Sequence, residues 1–404
     1  MANDSLLQPS RRAFVGTALV SAASYARIVG ANDRIRIGAI GTGNRCRYLL
    51  SLLNRLGGNE IVAVCDIYRP HRQEAKAKYG PGASEYQDHR AVLDRKDIDA
   101  VVIGTPNHWH VPLTIAAVRA GKDVYCEKPV THHIEEGEPL IRAVRESGRV
   151  VQTGTQQRSW AHYIQAAQLV QSGRLGKITF IRTYWYQNYY ASLNHHPEIQ
   201  TNLLDWKAFL GSAPYRPFDL DEYTNWRWYW DFGGGSLTDL FVHWVDVAQW
   251  YLGESMAAHA TATGSREFFR RRQAPDTVSA ALKYPTAIVD FECSLMGYLE
   301  GGGLMFRGTK AAMRLHRQGF WVYDELPHYS ESIAMPKPAI EVKSPHDGTI
   351  DHMGNFLACV RSRGTPSADV EIGVAAARAG HIGNLALRGS GVWNQETPAL
   401  SKNG

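Results

Sequence analysis

Apolar positions in the first 154 residues follow two patterns that alternate along the chain. Nearly continuous apolar runs are typical of strands buried on both faces, whereas apolar residues spaced three or four apart indicate a helix with one buried side. The strand-like runs cover 34–40, 60–65, 100–103, 123–126 and 150–154, and helical patterns follow the first and the third. This alternation predicts a doubly wound parallel sheet, whose ligand crevice lies at the carboxyl ends of the strands.

The pattern changes after Gly154. A helix is predicted from 156 to about 173, and residues 177–185 alternate as one long strand. Further strands are predicted near 258–263, 278–284, 287–293 and 303–307, and helices at 349–360 and 371–387. The fold class expected is therefore α/β followed by α+β. A first domain covers 32–154, and an open, mainly antiparallel sheet domain covers 155–395, with its last helices returning to the first domain and a tail over 396–404.

A glycine-rich turn, Gly41-Thr42-Gly43-Asn44-Arg45-Cys46, joins the first predicted strand to a leucine-rich helix. In the fingerprint of Rossmann domains, the first glycine makes the tight turn and the second lets a pyrophosphate approach the backbone at a helix N-terminus. The third glycine allows close packing, and Cys46 is a small residue in its place. We therefore predict a Rossmann domain in which Gly41, Thr42, Gly43, Asn44 and Arg45 bind a dinucleotide.

The second predicted strand ends in a carboxylate, Asp66, 25 positions after Gly41. A carboxylate at this point accepts hydrogen bonds from the adenosine ribose and repels a 2′-phosphate, so NAD is expected rather than NADP. Two alternatives stay open. Arg69 can pair with a 2′-phosphate if its loop turns inward, and Asp66 can instead cap the next helix.

Polar residues follow the third and fourth predicted strands, at the edge where the crevice is expected. We predict cofactor contacts for Thr105, Pro106, Asn107 and His110 after the third strand, and for Glu127 and Lys128 after the fourth. Because Pro129 restricts the preceding residue to extended geometry, Lys128 is held at a strand end. The alternative for Lys128 is an ordinary surface cation.

These motifs together resemble the Gfo/Idh/MocA oxidoreductase family, which includes glucose–fructose oxidoreductases and inositol dehydrogenases. The features that carry the resemblance are Gly41-Thr42-Gly43-Asn44, Asp66, Thr105-Pro106-Asn107 with His110, Glu127-Lys128-Pro129, and Asp239 with His243. The resemblance implies a Rossmann domain ahead of a sheet domain and NAD-dependent chemistry on a sugar or polyol. It also implies that Lys128 holds and polarises the reacting hydroxyl and that the peptide bond to Pro129 is cis.

A third polar group falls on an otherwise apolar helix that follows Gly233-Gly234-Gly235. Asp239 and His243 lie four positions apart and Asp246 three further on, so on one helix they share a face. A neutral imidazole with a pKa of about 6.5 suits proton removal from an alcohol near neutral pH. We predict that His243 is the general base, that Asp239 orients it or binds a neighbouring hydroxyl, and that Lys128 stabilises the alkoxide. The alternative is a hydrogen-bonded structural pair.

Aromatic residues are concentrated between 184 and 230, where flat rings with polar edges suit the apolar faces of sugars. Core packing or an oligomer contact accounts equally well for most of them. We assign only Arg158, Trp160, Arg227 and Trp228 to the substrate pocket.

The first residues predict an export signal. Paired Arg11 and Arg12 precede an apolar stretch that ends near Ala23 and is too short to span a membrane. This arrangement resembles a twin-arginine signal over residues 1–31, in a branch of exported, periplasmic family members. The alternative is an ordinary N-terminus. Because twin-arginine export carries folded proteins, tight retention of NAD is expected.

Composition excludes several other classes. The formal net charge of +5 over 404 residues is small and the basic residues are dispersed, so no nucleic-acid partner is expected. Five scattered cysteines and the isolated His195-His196 pair form no ligand cluster, so no metal is expected. No stable membrane anchor is predicted, and we expect a homo-oligomer formed through the C-terminal sheet.

Three functions compete at this point. The first is dehydrogenation of a sugar or polyol with net change in the cofactor. The second is NAD-dependent glycoside cleavage through transient oxidation and elimination, related to a closed cycle that oxidises one sugar and reduces another. The third is non-catalytic sugar binding, against which Lys128, Asp239 and His243 argue.

Overall fold

The computed structural model describes residues 34–195, 197–325 and 336–395. The predicted signal over 1–31, the tail over 396–404 and His196 lie outside these ranges. Within the described ranges, no helix has the length and apolar character that crossing a membrane requires.

The first sheet consists of six parallel strands in the order β3-β2-β1-β4-β5-β6. Their bounds are Ile35–Ile40 (β1), Asn59–Cys65 (β2), Ser84–Tyr86 (β3), Ala100–Ile103 (β4), Asp123–Cys126 (β5) and Val151–Thr153 (β6). The five predicted strands are all present. The exposed strand β3 at the edge carries no apolar run and was not predicted. The strand order reverses between β1 and β4, which is the point where such sheets bind their ligands.

Helices cover both faces of this sheet because their apolar residues need partners. The helices between the strands are Asn44–Leu56 (α1), Arg69–Tyr79 (α2), His89–Leu93 (α3), His110–Arg119 (α4) and Gly137–Ser147 (α5). The buried leucines of α1 pack on β1 and on Met353, Phe356 and Leu357 from near the end of the chain. Residues from near the end of the chain therefore complete the core beside the first sheet.

The second sheet has nine strands in the order β14-β13-β12-β11-β7-β10-β9-β8-β15. Their bounds are Ile178–Tyr186 (β7), His259–Ser265 (β8), Thr277–Lys283 (β9), Ile288–Ser294 (β10), Gly302–Gly308 (β11), Ala311–His316 (β12), Gly319–Asp324 (β13), Ile340–Lys343 (β14) and Val392–Asn394 (β15). Among the strand pairs in the described ranges, only β7 and β10 pair in parallel, so the expected mainly antiparallel sheet, and with it the fold class, is confirmed.

Burial alternates along β9 and β10, so one face of the second sheet is covered. The remaining helices are Ala161–Gln171 (α6), Tyr190–Asn194 (α7), Trp206–Leu210 (α8), Leu220–Thr224 (α9), Gly235–Asp239 (α10), Phe241–Leu252 (α11), Thr349–Ser362 (α12) and Val370–Arg388 (α13). Residues of α6, α11 and α13 share one apolar core with the inner face of the sheet. The single helix predicted from 156 to 173 is wrong, because Trp160 has extended backbone and separates a 3-10 turn, Gln156–Ser159, from α6.

Substitution of Phe356 tests how much α12 contributes to the first domain. Phe356 is fully buried and packs edge-on against Tyr125 of β5. We expect Phe356→Ala to lower the free energy of unfolding by about 3–5 kcal/mol, because it removes a large side chain from a packed core. Urea denaturation followed by circular dichroism measures the change. Leu385→Ala, at a position 45% exposed on α13, is the matched control, and equal effects of the two substitutions would contradict the proposed packing.

Candidate active site

The turn after β1 requires glycine at its first position. Gly41 has φ +77°, and a Cβ atom there would lie 2.6 Å from Thr105 Cγ2 and 2.7 Å from Thr105 N. At Gly43, the residue before α1, a Cβ atom would meet nothing within 4 Å. The backbone at the start of α1 therefore faces open space, as an anion-binding helix N-terminus requires.

That open space is a cleft of about 1160 Å³ over the carboxyl ends of the strands. Gly41, Gly43, Asn44 and Arg45 line one side, together with Asp66, Thr105 and Pro106. Phe209, Tyr223, Trp226 and Arg227 line the other side and come from the second half of the chain. A cleft of this size, at a topological switch point, accommodates a dinucleotide.

Asp66 lines this cleft, and its carboxylate is hydrogen-bonded to the glycine-rich turn after β1. Asp66 Oδ2 accepts a hydrogen bond from Thr42 N at 2.7 Å, and Asp66 Oδ1 accepts one from Tyr68 N at 2.8 Å. The residue that caps α2 is Tyr68, so the alternative of Asp66 as the helix cap does not describe the structure. Asp66 Oδ2 also accepts a hydrogen bond from Thr42 Oγ1 at 3.3 Å, whereas Asp66 Oδ1 keeps a lone pair for a ribose hydroxyl.

The residues after β4 divide between the cleft and the layer beneath it. Thr105 and Pro106 line the cleft, and Thr105 Oγ1 and Asn107 Oδ1 are buried without a hydrogen-bond partner in the described part of the chain. His110 does not reach the cleft. Its two ring nitrogens lie 2.7 Å from the Pro129 carbonyl oxygen and 2.9 Å from that of Thr105, so it bridges the loops after β4 and β5.

Glu127 is an internal anchor for two predicted site residues. Arg45 Nε donates to Glu127 Oε1 at 2.7 Å, and Lys128 N donates to Glu127 Oε2 at 3.1 Å. Burial raises the pKa of this carboxyl, but the charges of Arg45 and Lys128 outweigh burial and hold the pKa below its usual value. The Lys128-Pro129 peptide bond is cis, as the resemblance implies.

Lys128 and Asp239, 111 positions apart, meet in a buried ion pair. Lys128 Nζ lies 3.0 Å from Asp239 Oδ1 and 2.6 Å from the Asp239 carbonyl oxygen, and Arg227 Nε donates to the same Oδ1 at 3.1 Å. Burial and the charge of Arg227 lower the pKa of Lys128, and Asp239 opposes them. Burial raises the pKa of Asp239, but the two cations outweigh it and leave that pKa below its usual value. Two cations thus share one carboxylate.

Asp239 and His243 are not on one continuous helix, contrary to the prediction. The helix α10 ends at Asp239, Leu240 has φ −104° and ψ −50°, and α11 begins at Phe241. His243 N bonds to the Leu240 carbonyl at 3.3 Å instead of to that of Asp239. The break therefore leaves the Asp239 carbonyl free to accept the Lys128 ammonium.

The imidazole of His243 is buried beside this ion pair. His243 is 6% exposed, its ring stacks on Trp185 with centroids 6.1 Å apart, and its Nδ1 has no hydrogen-bond partner among the described residues. Burial and the charges of Lys128, Arg317 and Arg45 lower the pKa of His243 well below 6.5. The ring is therefore neutral at neutral pH and able to accept a proton.

Three of the four predicted substrate residues, Arg158, Trp160 and Trp228, do not line the cleft, contrary to the prediction. Arg158 Nε bonds to both carboxylate oxygens of the fully buried Asp246, at 2.8 and 3.0 Å, because a buried carboxylate needs a counter-charge. Trp160 is 4% exposed and packs against Gly348, where a Cβ atom would lie 2.3 Å from the indole. Both residues hold the turn Gln156–Ser159 in place.

Arg227 and Trp228 are neighbours in the chain, but only Arg227 reaches the cleft. Arg227 lines the cleft and stacks on Trp226 with its guanidinium 4.3 Å from the ring centroid. Trp228 is 4% exposed and belongs to the core. The glycines before α10 allow this packing, because a Cβ atom at Gly233 would lie 2.8 Å from the Arg227 backbone.

Sequence reasoning missed two residues whose polar atoms have no hydrogen-bond partner within the ranges that the structure describes. Gln157 is fully buried after β6, and neither its side-chain oxygen nor its nitrogen has a hydrogen-bond partner in the described ranges. Arg317 lies in the turn between β12 and β13, where its Nε is buried and has no hydrogen-bond partner among the described side chains and backbone. A strand-end position marks Gln157 in the sequence. No sequence signal marks Arg317, because its strands were not predicted.

The chain matches two models of one family in succession. The Gfo/Idh/MocA oxidoreductase model, described as an NAD-binding Rossmann fold, matches residues 35–155, and the GFO/IDH/MocA C-terminal domain matches residues 163–314. Inositol 2-dehydrogenase of Salmonella typhimurium is 35% identical over 144 residues, which are 35% of this chain and 42% of that relative. The chain thus spans less than half the length of that relative in the match.

Solved structures share the whole fold. The aldose-aldose oxidoreductase of Caulobacter crescentus, complexed with glycerol, aligns with a TM-score of 0.69 at 20% identity over 89% of this chain and 99% of that one. The WlbA dehydrogenase of Bordetella pertussis, in complex with NADH and UDP-GlcNAcA, aligns with a TM-score of 0.69 at 21% identity over 90% and 100%. The two family models match the chain in succession, and Lys128 lies in the first match and Asp239 in the second. The chain therefore belongs to the Gfo/Idh/MocA family of oxidoreductases.

Proposed function

We propose that this chain is an NAD-dependent oxidoreductase that transfers a hydride between a sugar or polyol carbinol and nicotinamide. The observation that carries the proposal is the ion pair of Lys128 and Asp239, which lowers the pKa of the buried His243 through the charge of Lys128 and is joined to the cleft by Arg227. The names of the relatives, an inositol dehydrogenase and an aldose-aldose oxidoreductase, support the substrate class.

The residues at the cleft fit NAD. The open backbone at Gly43 suits a pyrophosphate, and the unpartnered oxygens of Thr105 and Asn107 suit donors on the ligand. Asp66 stands where the ribose hydroxyls of the adenosine are bound in this fold, and its charge disfavours a 2′-phosphate, so we propose NAD over NADP. Bound NAD supplies the hydride acceptor or donor.

Lys128 has the capacity to hold a substrate oxygen. An ammonium group has three donors, and the two contacts to Asp239 leave one for a third acceptor. Asp239 opposes the lowering of the Lys128 pKa and so favours the charged ammonium, whose free donor stabilises the negative charge that develops on the oxygen during hydride transfer. The neutral imidazole of His243 takes the hydroxyl proton, and Asp239 positions the ammonium between the two halves of the chain.

Substitution of the base tests the assignment. We expect His243→Ala to lower kcat by about 10²- to 10⁴-fold, because a positioned base is lost, while the affinity for NAD changes little. A panel of sugars, polyols and chromogenic glycosides, read by absorbance of reduced nicotinamide and by aglycone release, identifies the reaction. Calorimetry measures the affinity for NAD.

His259→Ala, at a half-buried histidine on β8, is the matched control and should retain full activity. Unchanged turnover in His243→Ala, or equal losses of turnover and NAD affinity, would contradict the role of His243. Aglycone release without accumulation of reduced nicotinamide would favour the glycoside-cleaving alternative.

The pH dependence follows from the lowered pKa of His243. Only the neutral ring accepts a proton, and its pKa lies well below 6.5, so activity is retained through neutral pH and is lost as the pH falls through that lower value. We expect the acid limb of the kcat/KM profile to have its midpoint below pH 6.5. A midpoint above 7 would exclude His243 as the base.

We also propose that the chain is exported with NAD bound. The paired Arg11 and Arg12 before a short apolar stretch support a twin-arginine signal. Replacing both with Lys in the full-length protein should retain it, with its NAD, in the cytoplasm, as measured by cell fractionation. Unchanged distribution of the variant would contradict this route.

A further inference from the structure

The turn between β12 and β13 holds an arginine rigidly near the proposed base. Arg317 lies between His316 and Gln318, whose carbonyl oxygens are both bound. His162 Nε2 lies 3.0 Å from the His316 carbonyl oxygen, and Ser344 N donates to that of Gln318 at 2.7 Å. The backbone on both sides of Arg317 is therefore fixed by neighbouring segments.

The side chain of Arg317 reaches the tryptophan on which His243 stacks. The guanidinium carbon lies 5.4 Å from the ring centroid of Trp185 and 5.6 Å from that of Trp244. The imidazole of His243 stacks on Trp185 at 6.1 Å, and the charge of Arg317 lowers the pKa of His243. The guanidinium thus lies in the surroundings of the proposed base.

Arg317 has no counter-ion in the described part of the chain, and its Nε is buried without a partner. Two other guanidinium groups provide the contrast, because Arg158 pairs with Asp246 and Arg272 with Asp221. Burial lowers the pKa of Arg317, and the charge of Arg45 lowers it further.

The groups that raise the pKa of Arg317 are Tyr163, Asp347 and Tyr189. Asp347 is the one carboxylate among them, and its oxygens already accept hydrogen bonds from Tyr48 and Thr349. A guanidinium without a paired carboxylate is costly to bury, and an anionic ligand would remove that cost.

We infer that Arg317 is the anion subsite for a carboxylate on the substrate, so that the preferred substrate is a sugar acid. This inference rests on the proposed function and adds the substrate class. The planar guanidinium matches a carboxylate with two parallel hydrogen bonds. Packing against Trp185 and Trp244 fixes the orientation of the guanidinium. Because Arg317 and His243 pack on the same tryptophan, the carbinol that is oxidised lies close to the carboxylate of the substrate.

Matched pairs of ligands test the inference on the NAD-loaded, full-length protein. Calorimetry and initial rates are compared for glucuronate and glucose, for gluconate and glucitol, and for glucose 6-phosphate. We expect at least one acid to bind about tenfold or more tightly than its neutral partner. Arg317→Gln should raise Kd and KM for that acid by about 10- to 100-fold, because a charge-assisted hydrogen bond is lost, and should change binding of the neutral partner little.

Two further variants keep the test decisive. Arg317→Lys keeps the positive charge but loses the two parallel donors of the guanidinium. It should therefore fold and retain part of the preference for acids. Arg314→Gln removes the same charge on β12 from a residue that, among the described side chains, stacks on neither tryptophan, and it should leave the preference unchanged.

Equal binding of acids and neutral sugars, an acid preference that survives in Arg317→Gln, or selection of the phosphate ester alone would overturn the inference. The failure of the proposed function looks different. Acid binding that depends on Arg317 but produces no reduced nicotinamide would keep the subsite and reject the proposed net dehydrogenation. Turnover of neutral polyols without a preference for acids would keep the proposed dehydrogenation and reject the subsite.

Discussion

The contact of the Lys128 ammonium with Asp239 joins the two halves of this molecule at the proposed reaction centre. Lys128 lies two residues after β5 of the switch-point sheet, and Asp239 ends a short helix more than one hundred residues later. The ammonium bonds to both the carboxylate and the carbonyl of Asp239, so its position is determined by backbone as well as side chain. A backbone carbonyl is available because the helix breaks at Leu240. One local irregularity thus creates the acceptor on which the site depends.

Charge compensation explains which cations are left for a ligand. Arg45 is matched by Glu127 and Arg158 by Asp246, whereas Lys128 and Arg227 share the single carboxylate of Asp239. The surroundings of the proposed reacting oxygen are therefore positive. Positive charge near His243 lowers its pKa and favours the neutral ring, and it also stabilises an alkoxide. The same excess of positive charge therefore favours both proton removal by His243 and stabilisation of the alkoxide.

Much of the fold could be predicted because its signals are local. Buried parallel strands need apolar runs, so the five runs before Gly154 were found, whereas the exposed edge strand Ser84–Tyr86 carries none. In the candidate site, the glycine turn and the strand-end residues were found for the same reason. Which of them reach the cleft could not be predicted. The ring nitrogens of His110 contact two carbonyl groups, and Arg158 pairs with Asp246, 88 positions away, so neither side chain is available to a ligand.

The sequence by itself determined the strand–turn–helix units, the acidic end of the second strand and the residue types available for hydride and proton transfer. Each of these depends on neighbours within a few positions, which periodicity and backbone preferences report. Tertiary structure decided which charges are paired, that α10 and α11 are separate helices, and that Arg317 and His243 pack on the same tryptophan. These outcomes depend on desolvation and on partners remote in the chain, and local patterns carry no record of either.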